Sequence, residues 1–519
     1  MGTGGSPNLR GTTATGGVKG TGGSPVTGGT TGTGGRPRTG GSLGTGGSLG
    51  TGGTIGTGGT IGTGGTIGTG GTIGTGGTTG TGGTTASCSI SVTTNTTSAS
   101  MATVGIVEWS TTLAGVSSAQ IVYTLNNAGA SILNTGGTAP VDLTKSNYHT
   151  LLLGLKQSST YTFHVEATSS TGTVCKSSDN TLTTGTLPNT PNITRTATTP
   201  SAQDVGFIIT SAGVNGSVPA IIIDADGAVV WSAAAPTSCT RARMDYEGAN
   251  MWMMAMNVTN GTGEMRYLSM DGLTGQHNVS GLAKAHHDFT VLHGGIVAAL
   301  VWSTTGTDVA SDLVEHSPDG TNRTVFHVGS NLYLGVQSSS GAGTMNFHCN
   351  SVHYHSTDDT YTISDRNAWL YVKVTHGGAP VWQFGGSCSG APAPNCVAGT
   401  WQVNHGHHLF DNGDFLFFNN GASAGVPSRA REFMLSTSGT LSATPVHEYA
   451  SPGNQHGDSL GDVQRLPNGN TLVTFSNNGI IQELDPSWNI VQTIQAPPTA
   501  QSFGYADWRK TLYGAPDRP

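Results

Sequence analysis

The sequence predicts an all-β protein: a six-bladed β-propeller preceded by a β-sandwich and a disordered Gly/Thr-rich repeat. Three observations carry that expectation. Runs of alternating apolar residues, each closed by a Gly, Asn or Asp turn, recur from residue 87 to the end with essentially no helical periodicity. Four segments that open on histidine resemble one another at roughly fifty-residue spacing, as in a radially repeated sheet. The first part of the chain, in contrast, is almost only Gly, Thr and Ser.

Residues 1–86 settle after Thr39 into a six-residue repeat, TGGSLG, then TGGTIG, then TGGTTG. So few apolar groups cannot offset the entropy of ordering so much glycine, and a flexible linker is the expected state. It reads either as a spacer between an anchor and a catalytic part or as a repeat expansion without a role.

Residues 87–186 change abruptly to short β-rich runs such as ATVGIVEWSTT, AQIVYTLN and STYTFHVEAT. Trp109 on an early strand, and Tyr161 after the Leu-rich run LLLGL, resemble the fibronectin type III sandwich with its corner tyrosine. Residues 187–519 then supply blade-length units, among them AIIIDADGAVVWSA, FLFFNNG followed by REFMLSTSG, and TLVTFSNNGIIQELDPSWNIV. Their D-x-D-G, S-x-D-G and P-N-G-N turns stand where hairpins need positive φ. The length suits six four-stranded blades, with a seven-bladed ring as the alternative.

Composition excludes several classes of function. The chain holds 21 basic and 29 acidic residues among 519 and has no Lys/Arg run, which argues against nucleic acid or an anionic membrane. No stretch approaches the ~20 apolar residues of a membrane helix. Met1 runs directly into Gly-rich sequence, so no secretory signal is visible: the start is misplaced or trimmed, or the protein is cytosolic. The six cysteines favour export. Cys388 and Cys396 flank a Pro/Gly loop that a disulfide would close, and Cys88 and Cys175 bracket the first globular segment. Cys239 and Cys349 are left over, as a further pair or as thiols. The expected location is extracytoplasmic.

The chemistry is concentrated in the four histidine segments: AHHDFTVLHGGIVAAL from Ala285, HCNS from His348, WQVNHGHHLFDNGDFLFF from Trp401 and HGDSLGDVQRLPNGNTLVTF from His456. Strand residues two apart share a face, so His348 and Asn350 are expected on one side and His353 and His355 on the other. By the same rule His405 and His407 share a face, and His408 is turned away. Arg366, in SDRN, is placed to cross back beside His348. A histidine, an amide and a guanidinium on one patch suit an oxyanion, because arginine offers a planar fork of donors. A metal is the competing use for so many imidazoles. It is set aside, because close Asp/Glu partners are lacking and H-x-H is not a zinc spacing.

These segments resemble the bacterial aryl-sulfate-dependent arylsulfotransferase family over most of residues 280–480. The resemblance rests on HCNS followed by SDR, on the histidine before an L-x-x-x-G hairpin with SRAREF after it, and on GDVQRLPNGNTLV. It implies a six-bladed propeller that moves a sulfuryl group from an aryl sulfate donor to a phenolic acceptor through a sulfohistidine, without a cofactor. Residue by residue, it implies His405 as nucleophile, with His407 and His408 as rivals. His348, Asn350 and Arg366 would hold the sulfuryl oxygens, and His287 (or His286) would complete the catalytic set. His407, His456, Ser459 and Arg429 are further candidates for contact with substrate, and the Cys388–Cys396 loop before the nucleophile is also like the family. The alternatives are a sulfate or phosphate ester hydrolase on the same propeller and a non-catalytic binding propeller at the cell surface. A homodimer is kept as a candidate assembly.

Overall fold

The computed structural model describes residues 88–235, 238–257, 262–305, 308–328, 348–388, 395–497 and 502–516. The repeat read as a linker lies outside them. Among the described residues all the long elements are strands. The alternating runs fold as the period-two pattern requires: Thr160–Ser169 alternates strictly between buried and half-buried positions. Strands whose residues are apolar without alternation, such as Ala220–Asp224, are buried on both faces between neighbouring sheets.

The strands from Ile90 to Thr183 form two antiparallel sheets, and Trp109 and Tyr161 are buried in the core between them. Trp109 stacks on Tyr148 with ring centroids 4.3 Å apart. The Tyr161 hydroxyl accepts the Lys156 N–H at 2.8 Å, tying the corner of the sandwich. A disulfide joins Cys88 to Cys175.

The remaining strands form six sheets, the blades of a propeller. Blades two to five each take their strands in chain order from the axis outward. Their innermost strands are Ser238–Met244, Ala285–Val291, Cys349–His355 and Asn404–Leu409, and that of the sixth blade is Asp462–Arg465. The ring is closed twice. Asp507–Arg509, near the C-terminus, supplies the innermost strand of the first blade, and Thr194–Ala197 adds to the outer edge of the sixth. The turn glycines Gly227, Gly272, Gly320 and Gly469 have φ of 84°, 72°, 85° and 89°, as the turn sequences require. A second disulfide joins Cys388 to Cys396 beside the fourth blade. Cys239 and Cys349 are buried in the innermost strands of different blades and lie outside both disulfides.

Sandwich and propeller meet through partly buried polar contacts. Lys156 lies between Asp224 and Asp226 of the first blade, and Asp226 also accepts the Leu133 and Asn134 N–H groups at 2.9 Å each. Asp224 lies at the end of its strand away from Ala220, which pairs with Ser211 beside Tyr505. The sandwich therefore docks on the face of the propeller opposite the Tyr505 end of the axis.

Candidate active site at the propeller axis

One irregularity repeats in the innermost strands. Register shifts fall between Cys239 and Arg241, Ala285 and Phe289, Cys349 and Ser351, and Asn404 and His407, near the start of each strand. A β-bulge inserts residues that the partner strand does not match, and it re-aims their side chains. His286, His287, Asn350 and His405 all sit within these bulges. His287 has φ 59°, a left-handed conformation that a bulky residue adopts only where the surroundings hold it.

The result is a convergence of imidazoles. His287 Nε2 lies 2.8 Å from His348 Nε2, and His287 Nδ1 lies 2.8 Å from His286 Nδ1. The His348 Nδ1 and Asn350 Oδ1 atoms are buried and have no hydrogen-bond partner among the described residues. Asn350 Nδ2 donates to the Asn404 carbonyl at 2.7 Å, which fixes the amide next to His405. The Arg366 N–H donates to the His348 carbonyl at 2.9 Å, so the arginine crosses back beside His348 on the paired strand. The guanidinium acts electrostatically on His287, His348 and His405 alike. It donates to Asn367 Oδ1 and the Asp458 carbonyl, each at 3.5 Å; no carboxylate among the described residues forms a salt bridge with it, and Asp458 and Asp365 act on its charge from farther off.

Burial decides the protonation of these rings. It pushes His348 down to about 3, with Arg366 adding to the effect, and it holds His286, His287 and His405 well below the usual histidine value. They are neutral at pH 7. The site thus offers neutral imidazoles around one cation that no salt bridge engages among the described residues, with Asp458 and Asp365 acting on its charge from farther off, an arrangement suited to an anionic group that also needs a nucleophile.

The orientation of His405 is set by Asn420, which sequence reasoning missed. The Asn420 amide nitrogen donates to the Gly457 and Leu460 carbonyls at 2.8 and 3.0 Å, so its oxygen faces His405 Nδ1 at 2.5 Å. That oxygen can only accept, so Nδ1 carries the proton and Nε2 the lone pair. The sole signal in sequence is the polar pair Asn419 and Asn420 ending an apolar strand. Gly406 is required beside it: an added Cβ would stand 2.0 Å from Asp462 Oδ1.

The other candidates are not brought to this place. His407 does not share the face of His405, because the bulge at Gly406 breaks the alternation; its ring contacts the Ser351 hydroxyl and lies 2.7 Å from Thr362 Oγ1. His408 takes the Arg465 N–H at 3.3 Å and packs on Phe410. Arg429 is an outer-strand residue paired with Glu448. His456 lies in the loop before the sixth blade, between the Val426 carbonyl and Asp458, 2.9 Å from each. Ser459 is exposed and held by Asn477. His353 and His355 pack together with centroids 4.6 Å apart, nearer the other end of their strand.

Further along the axis the ions are paired. Arg241 makes a two-point contact with Asp288 at 2.6 and 3.2 Å, reaches Asp462 at 2.8 Å and lies over the Tyr505 ring. Tyr505 donates to the Asn350 carbonyl at 2.6 Å, which connects this buried cluster to the site.

Fold and geometry together define a β-propeller with buried histidines gathered near one end of its axis. Residues 322–496 match the model of the arylsulfotransferase (ASST) family, so the resemblance read from HCNS, SDR and GDVQRLPNGNTLV is shown for this part of the chain. Curated proteins returned no match. Solved structures that resemble the chain include a protein of unknown function from Bacteroides caccae, 11% identical, covering 59% of this chain and 99% of that one, with a TM-score of 0.39. TolB from Acinetobacter baumannii is 8% identical over 69% of this chain and 80% of its own, with a TM-score of 0.39. Virginiamycin B lyase from Staphylococcus aureus is 12% identical over 59% and 89%, with a TM-score of 0.33. Likeness at this level says nothing about activity.

Proposed function

We propose that the protein transfers a sulfuryl group from an aryl sulfate to a phenol in two steps, through a sulfohistidine at His405. The observation that carries this reading is the Arg366 cation, without a carboxylate salt bridge among the described residues, beside neutral imidazoles of which one has its lone pair fixed on Nε2.

In the first step His405 Nε2 attacks sulfur, the sulfur–oxygen bond to the aryl group breaks, and the departing phenoxide takes a proton from a His348 that has been protonated while the anionic ester is bound. Covalent capture divides one difficult transfer into two. Arg366, and the amide N–H of Asn350 that is not given to Asn404, hold the sulfuryl oxygens, where fixed donors act most strongly. In the second step an acceptor phenol gives up its proton to the now neutral His348, its oxygen attacks sulfur, and the electron pair returns to Nε2. The chemistry needs no cofactor. The two disulfides support an extracytoplasmic setting, and residues 87–186 are read as a fibronectin-like module that positions the propeller.

The test is phenol release from p-nitrophenyl sulfate with and without a second phenol. A transferase releases nitrophenol faster when acceptor is present and forms the acceptor's sulfate ester. Release at one rate regardless of acceptor, with free sulfate as product, would establish the hydrolase instead.

A further inference from the structure

The site histidines do not end at His348 and His287. Behind them an unbroken chain of hydrogen-bonding atoms runs from the Ser311 hydroxyl to His286 Nε2 at 3.0 Å, from His286 Nδ1 to His287 Nδ1 at 2.8 Å, and from His287 Nε2 to His348 Nε2 at 2.8 Å. All four side chains are buried. The chain has one outlet, His348 Nδ1, which has no partner among the described residues. Its inner end is built to carry charge. His286 lies flat on Trp302 with centroids 4.6 Å apart and an interplanar angle of 16°, the arrangement in which an aromatic face attracts a cation. The Ser311 hydroxyl can donate to a neutral His286 and accept from a protonated one.

We propose that Ser311, His286, His287 and His348 form a proton store, which takes up one proton together with an anionic sulfate ester and delivers it through His348 to the departing phenoxide. The proposal rests on the sulfuryl-transfer reading and adds His286 and Ser311 to it as positioning residues. The steps balance. The neutral chain gains a proton from solvent as the anion binds; the proton passes to the aryl oxygen when the sulfur–oxygen bond breaks, leaving the chain neutral beside sulfo-His405. The acceptor phenol returns a proton to the chain, which is released with the product ester.

The surrounding charges make uptake depend on the ligand. Arg366 from the fourth blade opposes a second positive charge, as does burial. Asp365 accepts the His348 N–H at 2.9 Å, but through the backbone. Asp288 and Asp462 are engaged by Arg241. Asp458, in the loop before the sixth blade, and Asp365 act on the charge of Arg366. His405 faces the chain from the fifth blade and is itself neutral; Tyr505, beside the first, has its pKa raised by burial. Without ligand the imidazoles are therefore uncharged near pH 7, and the negative charge of the ester tips one of them to the charged form. Anion binding is then tightest at low pH and weakens as pH rises through the value for the bound chain.

Two measurements test the store. Calorimetric binding of inorganic sulfate at pH 7, in buffers of differing ionisation enthalpy, is expected to show uptake of about one proton in the native protein and less than half of that in His286→Gln. No uptake in the native protein, or unchanged uptake in the variant, overturns the proposal. The second measurement compares donors. With p-nitrophenyl sulfate, whose phenoxide leaves unaided, His286→Gln is expected to lower kcat/KM less than ~5-fold; with phenyl sulfate it is expected to lower it ~10² or more, the range of a lost general acid. Ser311→Ala, which deletes only a hydroxyl, shifts the same ratio in the same direction by a smaller amount and serves if His286→Gln does not fold. Equal losses on both donors would mark a purely structural role and overturn the proposal. If the native protein turns over neither donor, the transfer reading fails, and the proton count on sulfate decides the store by itself.

Discussion

Two arginines stand on the propeller axis, and their surroundings are opposite. Arg241 is buried between Asp288 and Asp462 and lies over Tyr505. Arg366 is flanked by imidazoles and by a carbonyl at 3.5 Å, with no carboxylate salt bridge among the described residues. A buried ion with its counter-ions in place is satisfied internally and closes the structure around itself. A partly buried cation set among neutral, oriented imidazoles is arranged for an anion from outside. The residue types overlap; the pairing separates a structural cluster from a candidate site.

This contrast can be broken by substitution, and the largest effect is expected at His405. His405→Asn keeps size and polarity but cannot carry a sulfuryl group, so turnover should fall by ~10⁴ or more, as for a lost covalent nucleophile. Rapid-mixing kinetics with p-nitrophenyl sulfate should show no burst. Next comes Arg366→Lys, which keeps the charge and loses the fork; turnover should drop ~10² to 10³, the cost of one transition-state donor. Steady-state kinetics checks it, and near-normal turnover would remove Arg366 from the site.

Arg241→Met is expected to act on stability. It leaves Asp288 and Asp462 buried without their cation and should cost about 3 to 5 kcal/mol in denaturant unfolding. A loss of turnover with unchanged stability would erase the distinction between the two arginines. A smaller effect is expected in the pH profile. The reactive form of His405 is neutral, and burial holds its pKa well below 6.5, so the burst rate should persist as pH falls through 6.5 and decline only at lower pH. The smallest effect is expected for Arg429→Ala, within ~3-fold of native turnover, since Arg429 is paired with Glu448 on an outer strand.

Much of the architecture was legible because strands and turns are local events. The alternating runs, the turn glycines and the histidines near the starts of inner strands all follow from short-range chemistry, and the family features lie in the same segments. What strict alternation got wrong is equally local. Reading His405 and His407 on one face assumes a regular strand, and the bulge at Gly406 sends His407 to Thr362 instead. Bulges of this kind have no strong sequence mark, yet they carry His286, His287, Asn350 and His405. Arg429 failed for another reason: proximity in sequence to the histidine hairpin placed it two strands out from the axis. Asn420, Tyr505 and Arg241 were invisible because their partners lie on other strands or blades; Asn420 is fixed by carbonyls of Gly457 and Leu460, and Arg241 by Asp462 from the sixth blade.

The central claim is that His405 Nε2 receives the sulfuryl group, and trapping the intermediate tests it most directly. Native protein mixed with p-nitrophenyl sulfate without acceptor and quenched under alkaline conditions should carry one sulfuryl group, mapped by peptide mass spectrometry to His405 in NHGHHL. An adduct on His407, His408 or another peptide, or a burst that survives in His405→Asn, would contradict the account.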